Sequence, residues 1–295
     1  MAWSHPEGAR FHQRVEGSPV QQLPSVSLTV TDTIQPAHRE WNSEVYHRLS
    51  APQVSWGKKV LGRLHLRGNE RILDAGCGTG RLTADLLGAL PQGHVVGIDL
   101  SQNMLNSARE HLAQYGSRVT LLACDFLHLP FTQAFDGIVS TAAFHWVLDH
   151  DRLFANLYRA LVPGGFLEAQ CGGGPNCKRV RDRADALAAS TKFAPYFGGF
   201  REPWLFEDAQ GAAARLQRAG FVEVETSVQP APTTLDDARH FNEFVRNIVL
   251  RTHLEQLPTM ELKDEFMNVL TEQAVNDDPS FTLDYWRLNL RARVP

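Results

Sequence analysis

No stretch of the 295-residue sequence approaches 18 uninterrupted apolar residues, so no membrane-spanning helix is expected. A basic surplus is also missing. The 29 lysines and arginines stand against 33 acidic residues, a formal net charge of −4, whereas a phosphate backbone demands a basic patch. A nucleic-acid partner is therefore not expected. Cysteine is scarce: Cys77, Cys124, Cys171 and Cys177 form neither a disulfide framework nor a zinc spacing. Cys171 and Cys177 lack a neighbouring histidine pair, so no metal is expected and all four read as reduced thiols. The N-terminus has no charged-then-apolar signal pattern, and the expected location is the cytoplasm.

What is present is ordinary for a globular protein: 43% hydrophobic and 21% charged residues, enough chain for one large α/β domain with a smaller cap. Residues 1–36, rich in Pro, Gln, Ser and Gly, are expected to form a flexible arm. Residues 37–65 carry apolar positions spaced for one or two helices, broken near Ala51-Pro52. A strand–turn–helix rhythm then repeats. Strands are predicted at Arg71–Asp74, His94–Asp99, Val119–Ala123, Phe135–Ser140 and Phe166–Gln170. Helices are predicted at Arg81–Leu90, Gln102–Tyr115, capped by Ser101, and Arg152–Leu161. This alternation predicts a Rossmann-like, doubly wound parallel α/β sheet with its cofactor core at about 66–171.

After a Gly172-Gly173-Gly174-Pro175 break the rhythm loosens. A helix is expected over Lys178–Thr191, another over Asp208–Ala219, and a strand over Phe221–Val228. Helices at Asp236–Leu250 and Thr259–Val275 precede a closing strand at Phe281–Arg293 that would pair antiparallel, the seventh of the sheet. Residues 37–65, 172–207 and 235–276 are assigned to a substrate cap.

The sharpest signal is Ile72-Leu73-Asp74-Ala75-Gly76-Cys77-Gly78-Thr79-Gly80. Alternate glycines let the backbone turn sharply and approach a ligand at the next helix N-terminus. A dinucleotide fingerprint spaces its third glycine one residue later. Moreover, Asp74 would repel a pyrophosphate, whereas a cofactor carrying an ammonium and a sulfonium favours an acid. Asp99, 19 residues after Gly80, stands where a ribose-binding carboxylate belongs. Asp125 is positioned to accept from an adenine amino group, with Phe126 offering a backbone amide. Either aspartate alone could simply cap the helix after it. Three acids ending three successive strands favour one ligand site.

Together with GIDLSQNML, ACDFLHLPF, FDGIVSTAAFHWVLDH and LVPGGFLEAQCG, this segment closely resembles class I S-adenosylmethionine-dependent methyltransferases. Within them it looks like the small-molecule group that includes trans-aconitate methyltransferases, over about Trp41 to Cys171. The resemblance implies that Asp74, Gly76, Cys77 and Gly78 hold the methionine end, Asp99 the ribose, and Asp125 with Phe126 the adenine. Leu100 and Met104 would flank the ring, the Ala142-Ala143-Phe144-His145-Trp146 segment would lie beside the methyl group, Thr141 would also contact the cofactor, and Tyr46, Gln53 and Trp56 would close over it.

Phe144, His145 and Trp146 follow the fourth strand on the rim where open α/β sheets bind ligands. His145 reads either as a general base or donor to the methyl acceptor, or as a satisfied polar residue; Trp146 as pocket wall or packing. The aromatic run from Phe193 to Phe206, with Tyr196 and Trp204, reads equally as core or pocket lid. Lys178, Arg179, Arg181 and Arg183 default to a solvated helix face. With no committed base in view, the expected reaction is O-methylation of a small-molecule carboxylate by a monomer or weak homodimer. C- or O-methylation of an apolar natural product or isoprenoid stays open, as does a non-catalytic binder of the cofactor. A base-methylating enzyme is disfavoured because the fourth strand ends in Ser140-Thr141-Ala142-Ala143, without the Asn-Pro-Pro-aromatic signature.

Overall fold

The computed structural model describes residues 40–295, so the expected arm at 1–36 lies outside the described residues. Strands β1 (Arg71–Ala75), β2 (His94–Asp99), β3 (Val119–Ala123), β4 (Phe135–Thr141), β5 (Leu161–Gly172), β6 (Val222–Pro230) and β9 (Trp286–Arg293) form one seven-stranded sheet. Its order is β3-β2-β1-β4-β5-β9-β6, with β1 to β5 parallel and β9 antiparallel to both neighbours. The Rossmann-like sheet with an antiparallel last strand is therefore present. In β1 the period of two is visible directly: Ile72 and Leu73 are both fully buried, one on each face.

One face carries α2 (Ala51–Leu61), α3 (Arg81–Ala89) and α4 (Gln102–Leu112), whose Val60, Leu86, Leu87 and Leu112 meet Ile72, Val95 and Val139. The other carries α5 (His150–Ala160) and α8 (Ala209–Arg218), whose Phe154, Leu157, Ala212 and Leu216 meet Leu73, Ile138 and Leu290. Burial of this kind contributes about 25 cal/mol per Å2 of apolar surface. Side-chain caps set the helix starts. Ser101 Oγ accepts from Met104 N, as its place in the sequence predicted, and Asp149 and Asp208 do the same for α5 and α8.

A second core gathers α1 (Ser43–Leu49), α6 (Lys178–Ala188), the single turn α7 (Ala194–Phe197), α9 (Ala238–Phe244), α10 (Arg251–Glu255) and α11 (Met260–Ala274). Phe193, Phe241, Phe244, Phe266 and Leu270 fill it. Two predicted elements are interrupted here. The helix expected over Asp236–Leu250 ends at Phe244 and continues as a wider π-helical turn, Val245–Val249, closed by Leu250 N donating to Val245 O at 2.8 Å. The closing strand is also split. Thr282–Leu283 (β8) pairs with Thr233–Thr234 (β7), and β9 starts only at Trp286. The intervening Asp284 turns aside to take the Arg179 N–H on its carboxylate (3.1 Å) and the Cys177 N–H on its carbonyl (3.0 Å).

Candidate functional site

The C-terminal ends of the parallel strands converge on one edge. After β1, Gly76 and Cys77 both donate their N–H to Ile98 O at 2.9 Å, tying the glycine loop to β2. Gly76 adopts φ +86°, and a Cβ there would lie 2.4 Å from Ala143 Cβ, so only glycine fits. At Gly78 (φ +53°) a Cβ would meet nothing within 4 Å, because this part of the loop faces open space.

Asp74 is fully buried. Its Oδ2 accepts from Thr83 Oγ1 at 2.6 Å, while Oδ1 has no partner. Burial pushes its carboxyl up to about 7, against the Thr83 hydrogen bond and with help from the Asp99 charge. Half-buried Asp99 accepts from Ser101 N on Oδ1 (2.9 Å) and from Gly78 N on Oδ2 (3.0 Å); burial raises it too. Asp99 thus clamps the glycine loop to the start of α4. Asp125 accepts from Leu127 N at 3.0 Å at the end of β3. Leu100 is exposed and Met104 buried beside Asp99, Cys77 is buried beneath the loop, and Thr141 and Ala142 (φ +56°) end β4.

From the helical side, Tyr46 on α1 sits close enough to feel Asp99; its phenol is pushed up to about 12, by burial first and that carboxylate second. Gln53 on α2 buries an unpartnered Oε1. Trp56 is buried, edge-on to Tyr285 at 5.0 Å. Of these three, Tyr46 lies within reach of Asp99, and Trp56 lies against Arg287.

The residues expected to face the acceptor divide. Phe144 is fully buried, edge-on to Phe126 (5.8 Å) and Phe154 (6.4 Å), so it is core beneath the rim and no pocket wall. Tyr196 stands exposed on its short turn and makes no ring contact among the described residues. Trp146 and Trp204 do come together, edge-on at 5.6 Å, with Trp41 on the other side of Trp146 at 5.5 Å. His145 is buried, and its Nδ1 accepts from Gly172 N at 3.3 Å. Its ring proton therefore sits on Nε2, which has no hydrogen-bond partner among the described residues. Burial, then the Arg287 charge, holds this imidazole well below its usual range, so it stays neutral. The arrangement suits a donor better than a general base.

Two residues at this edge carried no signal in the sequence reading. Arg287, the second residue of β9, pairs with Gly172 and is 4% exposed. Its guanidinium lies 4.1 Å over the Trp56 ring, while Nε and Nη2 donate to nothing. The other arginines of that strand are satisfied: Arg291 pairs with Glu168 at 3.0 Å and Arg293 with Glu223 at 3.5 Å. Arg287 makes no ion pair among the described residues, and burial lowers its pKa. Glu40 accepts from Ser101 Oγ (3.0 Å), Gln102 N (3.0 Å) and Asn103 N (3.2 Å), a second cap on α4.

A family described as "Methyltransferase domain" matches residues 72–165. The chain is 38% identical over 224 residues to trans-aconitate 2-methyltransferase of Variovorax paradoxus, covering 74% of this chain and 83% of that one. It is 30% identical over 226 residues to the enzyme of the same name from Deinococcus radiodurans, again covering 74% and 83%. Among solved structures it is similar to Haemonchus contortus phosphoethanolamine N-methyltransferase 2 in complex with S-adenosyl-L-methionine. The TM-score is 0.56 at 21% identity, over 86% of this chain and 56% of that one, a likeness of fold.

Proposed function

The chain belongs to the S-adenosylmethionine-dependent methyltransferases, and from that premise we propose that it esterifies a small carboxylic acid. S-adenosylmethionine is the cofactor, and the residues present fit it. Asp74 keeps a buried carboxylate oxygen unpaired, the loop at Gly78 borders open space that a Cβ would not fill, and the acids answer an ammonium and a sulfonium. Asp74, Gly76, Cys77 and Gly78 would hold the methionine end, Asp99 the ribose, and Asp125, Phe126, Leu100 and Met104 the adenine. Thr141 and Ala142 would lie along the reacting end, and Tyr46, Gln53 and Trp56 would cover it. Bound there, the cofactor supplies an electrophilic methyl carbon.

The observation that carries the acceptor class is Arg287: a buried guanidinium with two free N–H groups beside His145, Tyr46 and Trp56. A planar fork of donors matches a carboxylate. Such an acceptor is already ionised at neutral pH and needs no base. Arg287 and the Nε2–H of His145 orient it, Trp146 and Trp204 wall it, and the second core acts as the cap that excludes water. The ester product has lost its charge, so its hold on Arg287 weakens and it leaves. The relatives named for trans-aconitate support the same reading.

A second reading, an apolar acceptor methylated at carbon or oxygen, draws on the parallel rings of His145, Phe206 and Trp204. No helix among the described residues is long and apolar enough to cross a membrane. Four buried, unbridged cysteines suit the cytoplasm. The test is turnover of S-adenosylmethionine against panels of carboxylic acids, phenols and prenyl compounds, read by mass spectrometry of the methylated product. Methyl esters from acids alone support the proposal; ethers or C-methyl products with no ester overturn it.

A further inference from the structure

Three ligand-type side chains meet in the second core, away from the acids of the glycine loop. Asp185 on α6, Glu202 in the segment before α8 and His253 on α10 present one donor atom each, all within 4.8 Å of one another. His253 is fully buried, yet neither ring nitrogen has a hydrogen-bond partner, and Nε2 lies 3.9 Å from Asp185 Oδ1. Glu202 Oε2 is likewise buried and unpartnered. Stacking on Trp204 (5.9 Å) and contact with Phe200 (4.4 Å) fix the imidazole plane. Both nitrogens of a buried imidazole left unsatisfied are costly unless something occupies the space they face.

We propose that Asp185, Glu202 and His253 bind a divalent transition metal of the Zn2+ type, with water completing its shell. One imidazole nitrogen with two carboxylate oxygens suits a borderline ion better than Mg2+ or Ca2+, which prefer all-oxygen shells. Arg181, the neighbouring cation, rests its guanidinium 4.9 Å over the Phe206 ring. Against two carboxylates it leaves a formal charge of −1 with His253 neutral. Burial holds His253 down at about 4, so the imidazole is available as a ligand at neutral pH. Bonds of about 2.1 Å require tetrahedral donors about 3.4 Å apart. Asp185, whose side chain is 59% exposed, can close that gap and offers the entry route. The ion would fasten α6, the Glu202 segment and α10 together. His253 stacks on Trp204 at 5.9 Å, so the ion would sit behind one of the rings proposed to wall the acceptor, with donors that are not among the residues placed at the cofactor.

Chelator-treated full-length protein would be titrated calorimetrically with ZnCl2, MgCl2 and CaCl2 and then melted. The expected result is one Zn2+ per chain with micromolar or tighter affinity, and Mg2+ and Ca2+ at least 100-fold weaker. The melting temperature should rise by about 5 °C at 100-fold excess over Kd. Asp185→Asn, on an exposed side chain, should weaken zinc at least tenfold while leaving metal-free melting and S-adenosylhomocysteine binding unchanged. Absence of saturable zinc binding overturns the proposal, and so does equal zinc affinity in Asp185→Asn, which would put the metal on other residues.

Discussion

Replacing Arg287 with methionine should make the free protein more stable and the enzyme nearly inactive. A buried, unpaired guanidinium costs several kcal/mol in desolvation. Its contact with the Trp56 ring returns up to about 2 kcal/mol of that, and no carboxylate returns the rest. Methionine fills most of the same volume without a charge, so the net gain should be about 1–2 kcal/mol, or about 2–6 °C in melting temperature for a domain this size. The catalytic cost runs the other way. Two hydrogen bonds to a charged acceptor, each contributing about 1.5–3 kcal/mol, disappear from the transition state. The value of kcat/KM for an acid substrate should then fall about 10²- to 10⁴-fold, with S-adenosylmethionine affinity within a factor of three of the wild type. Thermal melts without ligand and steady-state ester formation read the two halves separately. An Arg287→Met protein that melts lower than the wild type and still esterifies acids at the normal rate refutes the assignment.

Asp99→Ala should weaken cofactor binding at least tenfold by calorimetry, because it removes a charge-assisted acceptor and releases the Gly78 and Ser101 amides it clamps. Asp74 makes cofactor affinity pH-dependent. Its carboxyl is raised to about 7 in the fold against about 3.9 unfolded, so the folded chain holds the extra proton between about pH 4 and 7. Its contribution to stability is thus full below pH 4 and is lost as pH rises through 7, while a cationic cofactor favours the ionised form. Affinity should increase about tenfold from pH 6 to pH 8. Asp74→Asn should flatten that slope, and a flat wild-type profile would count against it. For His145, held neutral by burial and Arg287, kcat/KM for the acceptor, measured with S-adenosylmethionine saturating at every pH, should show no titration near 6.5. His145→Gln, keeping an N–H donor, should retain activity within tenfold, whereas His145→Phe should lose more; equal losses would remove the donor role.

The sheet edge that gathers the glycine loop, Asp74 and Asp99 was readable from local pattern because its signals are local. A glycine loop, an acid ending each strand and a period of two lie within a few residues of each other from Ile72 to Asp125. Arg287 was not readable for a physical reason. In Trp286–Arg293 the arginines alternate with Leu288, Leu290 and Ala292, the ordinary pattern of a strand with one wet face. That face becomes dry at Arg287 alone, where α2, more than 200 residues earlier, sets Trp56 against the guanidinium. Phe144 misled in the opposite sense. It sits in a motif of rim residues, but in the short turn at Phe144–Trp146 its ring is fully buried against Phe126 and Phe154. The break at Asp284 depends on hydrogen bonds to the distant Cys177–Arg179 segment, and the π-helical turn on one extra residue inside an otherwise helical run; periodicity registers neither.

The reversed direction of β9 has a consequence for how such a chain can diversify. Parallel strands deliver their last residues to the working edge, but an antiparallel strand delivers its first, so Gly172 and Arg287 arrive side by side. Arg287, proposed to meet the acceptor, is therefore the second residue of β9 after the long excursion from Pro230 to Tyr285. Lengthening, shortening or replacing that excursion changes what reaches the edge without disturbing the ladder from Leu288 to Arg293 or any residue of the glycine loop. The excursion that leads into Arg287 and the glycine loop occupy separate stretches of the polypeptide, and a laboratory library confined to residues 231–287 would vary the surroundings of Arg287 while leaving every residue of that loop intact.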